Sequence, residues 1–235
     1  MSNWWKQWWP FQQDKLPNTP YWQAYQEAMD HQPKRDTSIR DIRFVVLDTE
    51  TTGLDPAKDQ ILSIGAVAVR NQQIWVSDRF EAFLPQDELD NTGEAEAVAV
   101  HGILGKHANS EQATAEILID FLSYLKGSIF VAHHAAFDFG ILQTAYDRYL
   151  DGMLLNKTLD TAHLARRLDD PMGRKMMGPQ EAKQFSLDHL CQRFNIPIEA
   201  RHTASGDALL TAILLVKLLA RLDARGISSW GELWR

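Results

Sequence analysis

The chain has 235 residues, a formal net charge of −7 and a single cysteine, Cys191; that length fits one large α/β domain with additions, or two small domains. The acidic balance argues against broad coating of duplex nucleic acid, though not against a small site that grips a strand end with metal ions supplying positive charge. One cysteine excludes an internal disulfide framework and a multi-cysteine zinc site. No run approaches the roughly 20 apolar residues of a membrane span and the first residues carry no signal-peptide pattern, so a cytoplasmic protein without a transmembrane segment is expected.

Residues 1–38 differ in character from the rest and are expected to form a Trp-rich helical N-terminal extension and linker. "SNWWKQWWPF" spaces Trp4, Trp5, Trp8 and Trp9 as an aromatic stripe if the segment is helical. Such a stripe could cover an apolar patch, bind a partner protein or lie at a membrane interface. The Arg and Lys that would accompany a base-stacking platform are nearly absent. "NTPYWQAYQEAMD" predicts a short helix with Thr19 as N-cap, Pro20 as its first residue, and Trp22, Tyr25 and Met29 along one side. "HQPKRDTSIRD" has no apolar period and reads as a linker. The compact domain is expected at 39–235.

From there, residues 43–50, 60–70 and 74–84 predict three strands, with "RNQQ" a hairpin loop between the last two. A helix is expected over 110–127, capped by Ser110, with Ile117, Phe121, Leu122 and Leu125 inward. "SIFVAHH" reads as a buried strand and "AFDFGILQTAYDRYL" as the helix after it. "TLDTAHLARRL" is a short strand entering a helix, and "SLDHLCQRF" and "SGDALLTAILLVKLLARL" are two more helices. The segment "DDPMGRKMMGPQEAKQF" is a Gly/Pro-punctuated loop. Its basic middle, with Arg166 and Arg167, could guide a phosphate backbone or simply be solvated. The fold class is α/β, a mixed sheet of about five strands flanked by helices.

The first strand carries an anomaly. In "RFVVLDTETTGLD" side chains alternate, so Asp48 and Glu50 share the face of Phe44 and Val46, roughly 7 Å apart at Cβ. Two like charges at the end of a core strand are costly unless something cationic lies between them. Asp138, Asp160 and Asp207 are further candidates. Asp138 and Asp207 each sit in a predicted first helical turn, where an acid also simply complements the helix dipole. Carboxylates with little imidazole or thiolate suit Mg²⁺ or Mn²⁺. Two such ions suit phosphodiester cleavage, one activating water and the other stabilising the leaving oxygen. A histidine nearby could take the proton from that water, and His202 lies five residues before Asp207. His133 and His134, read as adjacent strand residues, point to opposite faces, which argues against a shared zinc.

In order along the chain, "FVVLDTETTGLDP", "EAEAVAVHGI", "AHHAAFD", "TLDTAHLARRL", "FSLDHLCQRFNIP" and His202 with Asp207 as H-x4-D resemble the DEDDh 3′–5′ exonucleases. That family includes the proofreading epsilon subunit of bacterial DNA polymerase III, and the likeness runs from about residue 43 to 220. It implies a ribonuclease H-like fold and hydrolysis of 3′-terminal phosphodiesters of single-stranded DNA, or RNA, to nucleoside 5′-monophosphates. By position it implies that Asp48, Glu50, Asp138 and Asp207 hold two Mg²⁺ or Mn²⁺ ions, with His202 as general base. Thr51 and Leu54 would meet the 3′-terminal nucleotide, Glu96 its sugar hydroxyl, and His101 would lie close by. The chain departs from the pattern at His134, where the family usually has Asn. A stand-alone repair or turnover nuclease is expected, with a protein partner for the Trp-rich segment open. The rival reading is a non-catalytic adaptor that binds nucleic-acid ends and docks through that segment.

Overall fold

A computed structural model describes residues 16–86, 110–171, 183–198 and 201–234. The Trp4–Trp9 stripe, Glu96, His101 and most of the basic loop lie outside the described residues.

The apolar runs become a five-stranded mixed sheet. Strand β1 (Phe44–Thr51) pairs antiparallel with β2 (Ile61–Arg70) and parallel with β4 (Ile129–Ala132). β3 (Gln73–Phe83) and β5 (Thr158–Asp160) are the edges, giving the order β3-β2-β1-β4-β5. The β2–β3 hairpin turns on Asn71 and Gln72, at φ 48° and 58°. Two successive positive φ values match the right-handed twist of the flanking strands. β4 ends at Ala132, two residues short of the expected strand, so His133 and His134 lie in a turn.

The helices divide between the two faces. On the side of Val45, Leu47 and Phe130 lie α1 (Pro20–Met29), α2 (Ser110–Leu125) and α3 (Ala136–Leu150), sharing one apolar cluster with them. Against Phe44, Val46 and Val131 pack α4 (Thr161–Asp169), α5 (Leu187–Arg193), α6 (Ala204–Asp223) and α7 (Trp230–Leu233). In α2 the inward residues are Leu118, Phe121, Leu122 and Leu125, with Ile117 only half-buried. The stripe is rotated by one position because Leu118 packs into the core while Ile117 borders it.

Helix α1 starts where expected, with Thr19 extended at the N-cap and Pro20 first, but the Thr19 hydroxyl makes no capping bond. Its apolar side joins the same core as α2 and α3. The Trp22 indole N–H donates to the Leu150 carbonyl at 3.1 Å, and the Tyr25 hydroxyl donates to Asn156 Oδ1 at 2.6 Å. Gly152 makes room for the indole, since a Cβ there would lie 2.0 Å from its ring. The segment expected as linker is also tied down: the Ile39 N–H donates to the Ser228 carbonyl and the Trp230 N–H to that of Thr37.

Candidate active site

The ladder between β1 and β2 places Gly65 directly opposite Asp48. A Cβ at Gly65 would fall 2.2 Å from the Ser205 backbone nitrogen and 2.6 Å from the Ala204 carbonyl oxygen. The missing side chain is therefore what allows the first turn of α6 to rest on the sheet beside Asp48. Thr203 caps that turn, its hydroxyl accepting from the Gly206 N–H at 3.1 Å. Asp207 then sits in the turn, buried, over the end of β1. One carboxylate oxygen from each of Asp48, Glu50 and Asp207 lies within 4.8 Å of the others, the one such acidic group among the described residues.

Asp138 comes from the opposite layer. Side chains on β1 alternate, so Thr49 faces α3, and its N–H and hydroxyl both donate to Asp138 Oδ1, at 3.0 and 2.9 Å. Asp138 is buried and stands beside the three-carboxylate group rather than in it. The electrostatics register the crowding. Burial, then the negative charges of Asp138, Asp207 and Glu50, push the Asp48 carboxyl up to about 9. Burial raises Asp138 to about 7 against the pull of the Thr49 hydrogen bonds. Glu50 is also raised, by burial and then by Asp207, with His202 and Arg201 opposing.

These residues fit a hard divalent cation. All three converging donors are carboxylates, and Asp207 Oδ1 is buried without a hydrogen-bond partner. A buried carboxylate oxygen without a partner is costly on its own and has the chemistry of a hard-cation ligand.

His202 is exposed and at φ 64°, immediately before the α6 cap, close enough to Glu50 to stabilise its charge. Thr51 is half-buried and its hydroxyl donates to the Gly53 carbonyl at 2.7 Å. Leu54 is 86% exposed. It stands on a loop braced by Asp59, which accepts from the Thr52 hydroxyl at 3.0 Å and the Asp55 N–H at 2.7 Å.

The histidine pair behaves differently from the strand-based reading. His133 uses both ring nitrogens, on the Thr161 hydroxyl at 2.8 Å and the Phe185 carbonyl at 3.0 Å. Burial holds its imidazole down at about 4. In a turn strand alternation no longer applies, and it is the engagement of both His133 nitrogens that argues against a shared metal. His134 is at φ 62°. Asn, Asp and His are the non-glycine residues that best tolerate the left-handed region, which accounts for His where the resemblance leads one to expect Asn. Asp160 is engaged as the N-cap of α4 and also accepts from the His134 N–H.

Three residues with a structural part in the site went unread in the sequence. Thr49 and Gly65 act through partners far along the chain, which no local pattern displays. Arg201 immediately precedes His202 in "RHTASGD", and an arginine next to a predicted acidic set was the available signal. It forms an ion pair with Asp207 through Nη1, and another with Asp188 through Nε at 2.9 Å.

Known proteins share this arrangement of elements. The profile of the RNase T family, described as "Exonuclease", matches residues 45–215. A DNA polymerase III PolC-type from Oceanobacillus iheyensis is 34% identical over 211 residues, 89% of this chain. A PolC-type polymerase from Staphylococcus epidermidis is 29% identical over 84% of it. The chain spans about 13% of the length of each. Among solved structures, product-bound exonuclease I superposes with a TM-score of 0.55 at 18% identity, over 79% of this chain and 45% of that one. The cell-death related nuclease CRN-4 gives 0.54 at 16%, over 77% and 65%. These likenesses support the ribonuclease H-like exonuclease fold.

Proposed function

The chain belongs to the exonuclease family, and on that premise we propose that it hydrolyses the 3′-terminal phosphodiester of single-stranded DNA, releasing nucleoside 5′-monophosphates. The observation that carries this reading is the convergence of Asp48, Glu50 and Asp207 with Asp207 Oδ1 buried and unpartnered. DNA as the substrate class is favoured by the polymerase names of the relatives; RNA is tested beside it.

Asp48, Glu50 and Asp207 would hold Mg²⁺ or Mn²⁺, and Asp138 would serve a second ion. When bound, these ions neutralise the carboxylates and polarise the scissile phosphate. His202, exposed and free to turn toward solvent, takes the proton of the attacking water on a ring nitrogen. The new P–O bond forms as the bond to the penultimate 3′-oxygen breaks, and that oxygen takes a proton from solvent. Leu54 would pack against the terminal base and Thr51 would meet the terminal nucleotide, and the roles of Glu96 and His101 there are proposed from the family resemblance alone. Asp59 keeps the Leu54 loop stiff, so little order is lost on binding.

The test is release of mononucleotides from 3′-labelled single-stranded DNA and RNA with Mg²⁺ or Mn²⁺. Asp48→Ala and Asp207→Ala should abolish turnover, whereas His202→Ala should slow it by roughly 10²–10⁴-fold with cation binding kept. Full activity in Asp48→Ala sinks the site assignment. End binding without cleavage of either substrate by the unmodified protein would favour the adaptor.

A further inference from the structure

We propose that Arg201 is a positioning residue for the cation site: held from outside by Asp188, it grips one oxygen of Asp207 and so presents the other to the ion. The inference rests on the reading of Asp48, Glu50 and Asp207 as that site.

Arg201 does not clasp a single carboxylate with its fork. Its Nη1 pairs with Asp207 Oδ2 in α6 and its Nε with Asp188 Oδ1 in α5. The guanidinium is therefore a rigid spacer between two helices, with its side chain 21% exposed. Asp207 accordingly has unequal oxygens: Oδ2 is engaged, while Oδ1 is buried without a partner. A carboxylate with one oxygen pinned cannot rotate that oxygen into the site, so it enters as a one-oxygen donor. The same grip anchors the backbone next to His202, whose φ of 64° is an unusual conformation for the chain to hold unaided.

Charge alone argues for the opposite effect. A guanidinium beside a cation site repels the incoming ion, so removing it should tighten binding if Arg201 acted only as a charge. If it positions, removing it loosens binding. Lysine separates the two, because it keeps the charge but lacks the planar fork that can engage two carboxylates at fixed angles.

The experiment is a Mn²⁺ titration followed by thermal unfolding, with the metal concentration for half-maximal stabilisation as the readout. Arg201→Gln and Arg201→Lys should both raise that concentration, on the order of tenfold. Asp188→Asn, outside the carboxylate group, should raise it roughly threefold, and should add nothing in an Arg201→Gln background. Rescue by lysine, tighter binding in Arg201→Gln, or an Asp188→Asn effect that persists without Arg201 would each overturn the positioning role. So would variants that lower only the metal-free melting temperature. No Mn²⁺ stabilisation of the unmodified protein would remove the cation site itself, and the inference with it.

Discussion

Asp138 and Asp207 each sit in the first turn of a helix, each buried, beside the outgoing end of β1. They arrive from opposite faces of the sheet and are held by different chemistry. Asp138 receives two neutral donors from Thr49 on one oxygen, while Asp207 is paired with the charged Arg201. The Thr49 donors favour the charged carboxyl, but burial outweighs them and leaves Asp138 raised to about 7. A guanidinium brings a formal positive charge to the other side. Among these acids Asp207 has the direct ion pair with Arg201, whereas Arg201 reaches Asp48 and Glu50 only through space.

The comparison breaks most completely at Gly65. Gly65→Ala should push α6 off β2 and carry Asp207 away while leaving Thr49 and Asp138 together. The overpacking should cost about 1–3 kcal/mol in urea unfolding. Nucleotide release should fall on the order of 100-fold, as expected for an approximately 1 Å displacement.

Acid–base behaviour sharpens it next. Burial and neighbouring negative charge raise Asp48 and Asp138 in the folded chain above the ordinary carboxylate value of 3.8, to about 9 and about 7. Between those limits the folded state binds more protons than the unfolded one, so metal-free stability falls as pH rises. In EDTA the melting temperature should therefore drop from about pH 5 to about pH 9. Saturating Mn²⁺ should flatten the slope, because the ion replaces the protons. A slope unaffected by Mn²⁺ would detach these acids from cation binding.

Thr49→Val removes the hydroxyl donor to Asp138 and keeps the backbone one, at about 1 kcal/mol. Because that bond favours the charged carboxyl, its loss should move the acid limb of the pH–rate profile upward. The midpoint of Mn²⁺ stabilisation through Asp207 should barely move. The smallest effect is expected at His134. His134→Asn should change stability by less than ~0.5 kcal/mol, whereas His134→Val, strained at φ 62°, should cost about 1–3 kcal/mol.

What could be read beforehand followed range along the chain. The strand carrying Asp48 and Glu50, the α6 turn carrying Asp207 and the α3 turn carrying Asp138 all lie in local patterns of period two or first-turn position. The mixed five-stranded sheet followed from the same patterns. Gly65 looks like any small residue in an apolar strand, because its reason is the backbone of Ser205, 140 positions away. Likewise Trp22, Tyr25 and Met29 showed a buried side in the residues alone, but not the α3 end that covers it. The early end of β4 was hidden because His133 and His134 continue an apolar run without a breaker.

The Trp22 anchor also has a consequence for how the chain is made. Its carbonyl partner, Leu150, lies 128 residues further on, and the Tyr25 partner, Asn156, lies 131 further on. At roughly 5–20 residues per second of synthesis, α1 waits on the order of ten seconds for its binding surface to exist. During that interval an indole and a phenol are unburied on a helix of ten residues, too short to persist alone in water. Among the described helices, the first one synthesised is thus among the last to dock. The transfer of Trp22 from water to the core would mark, in fluorescence, the moment that face of the sheet closes.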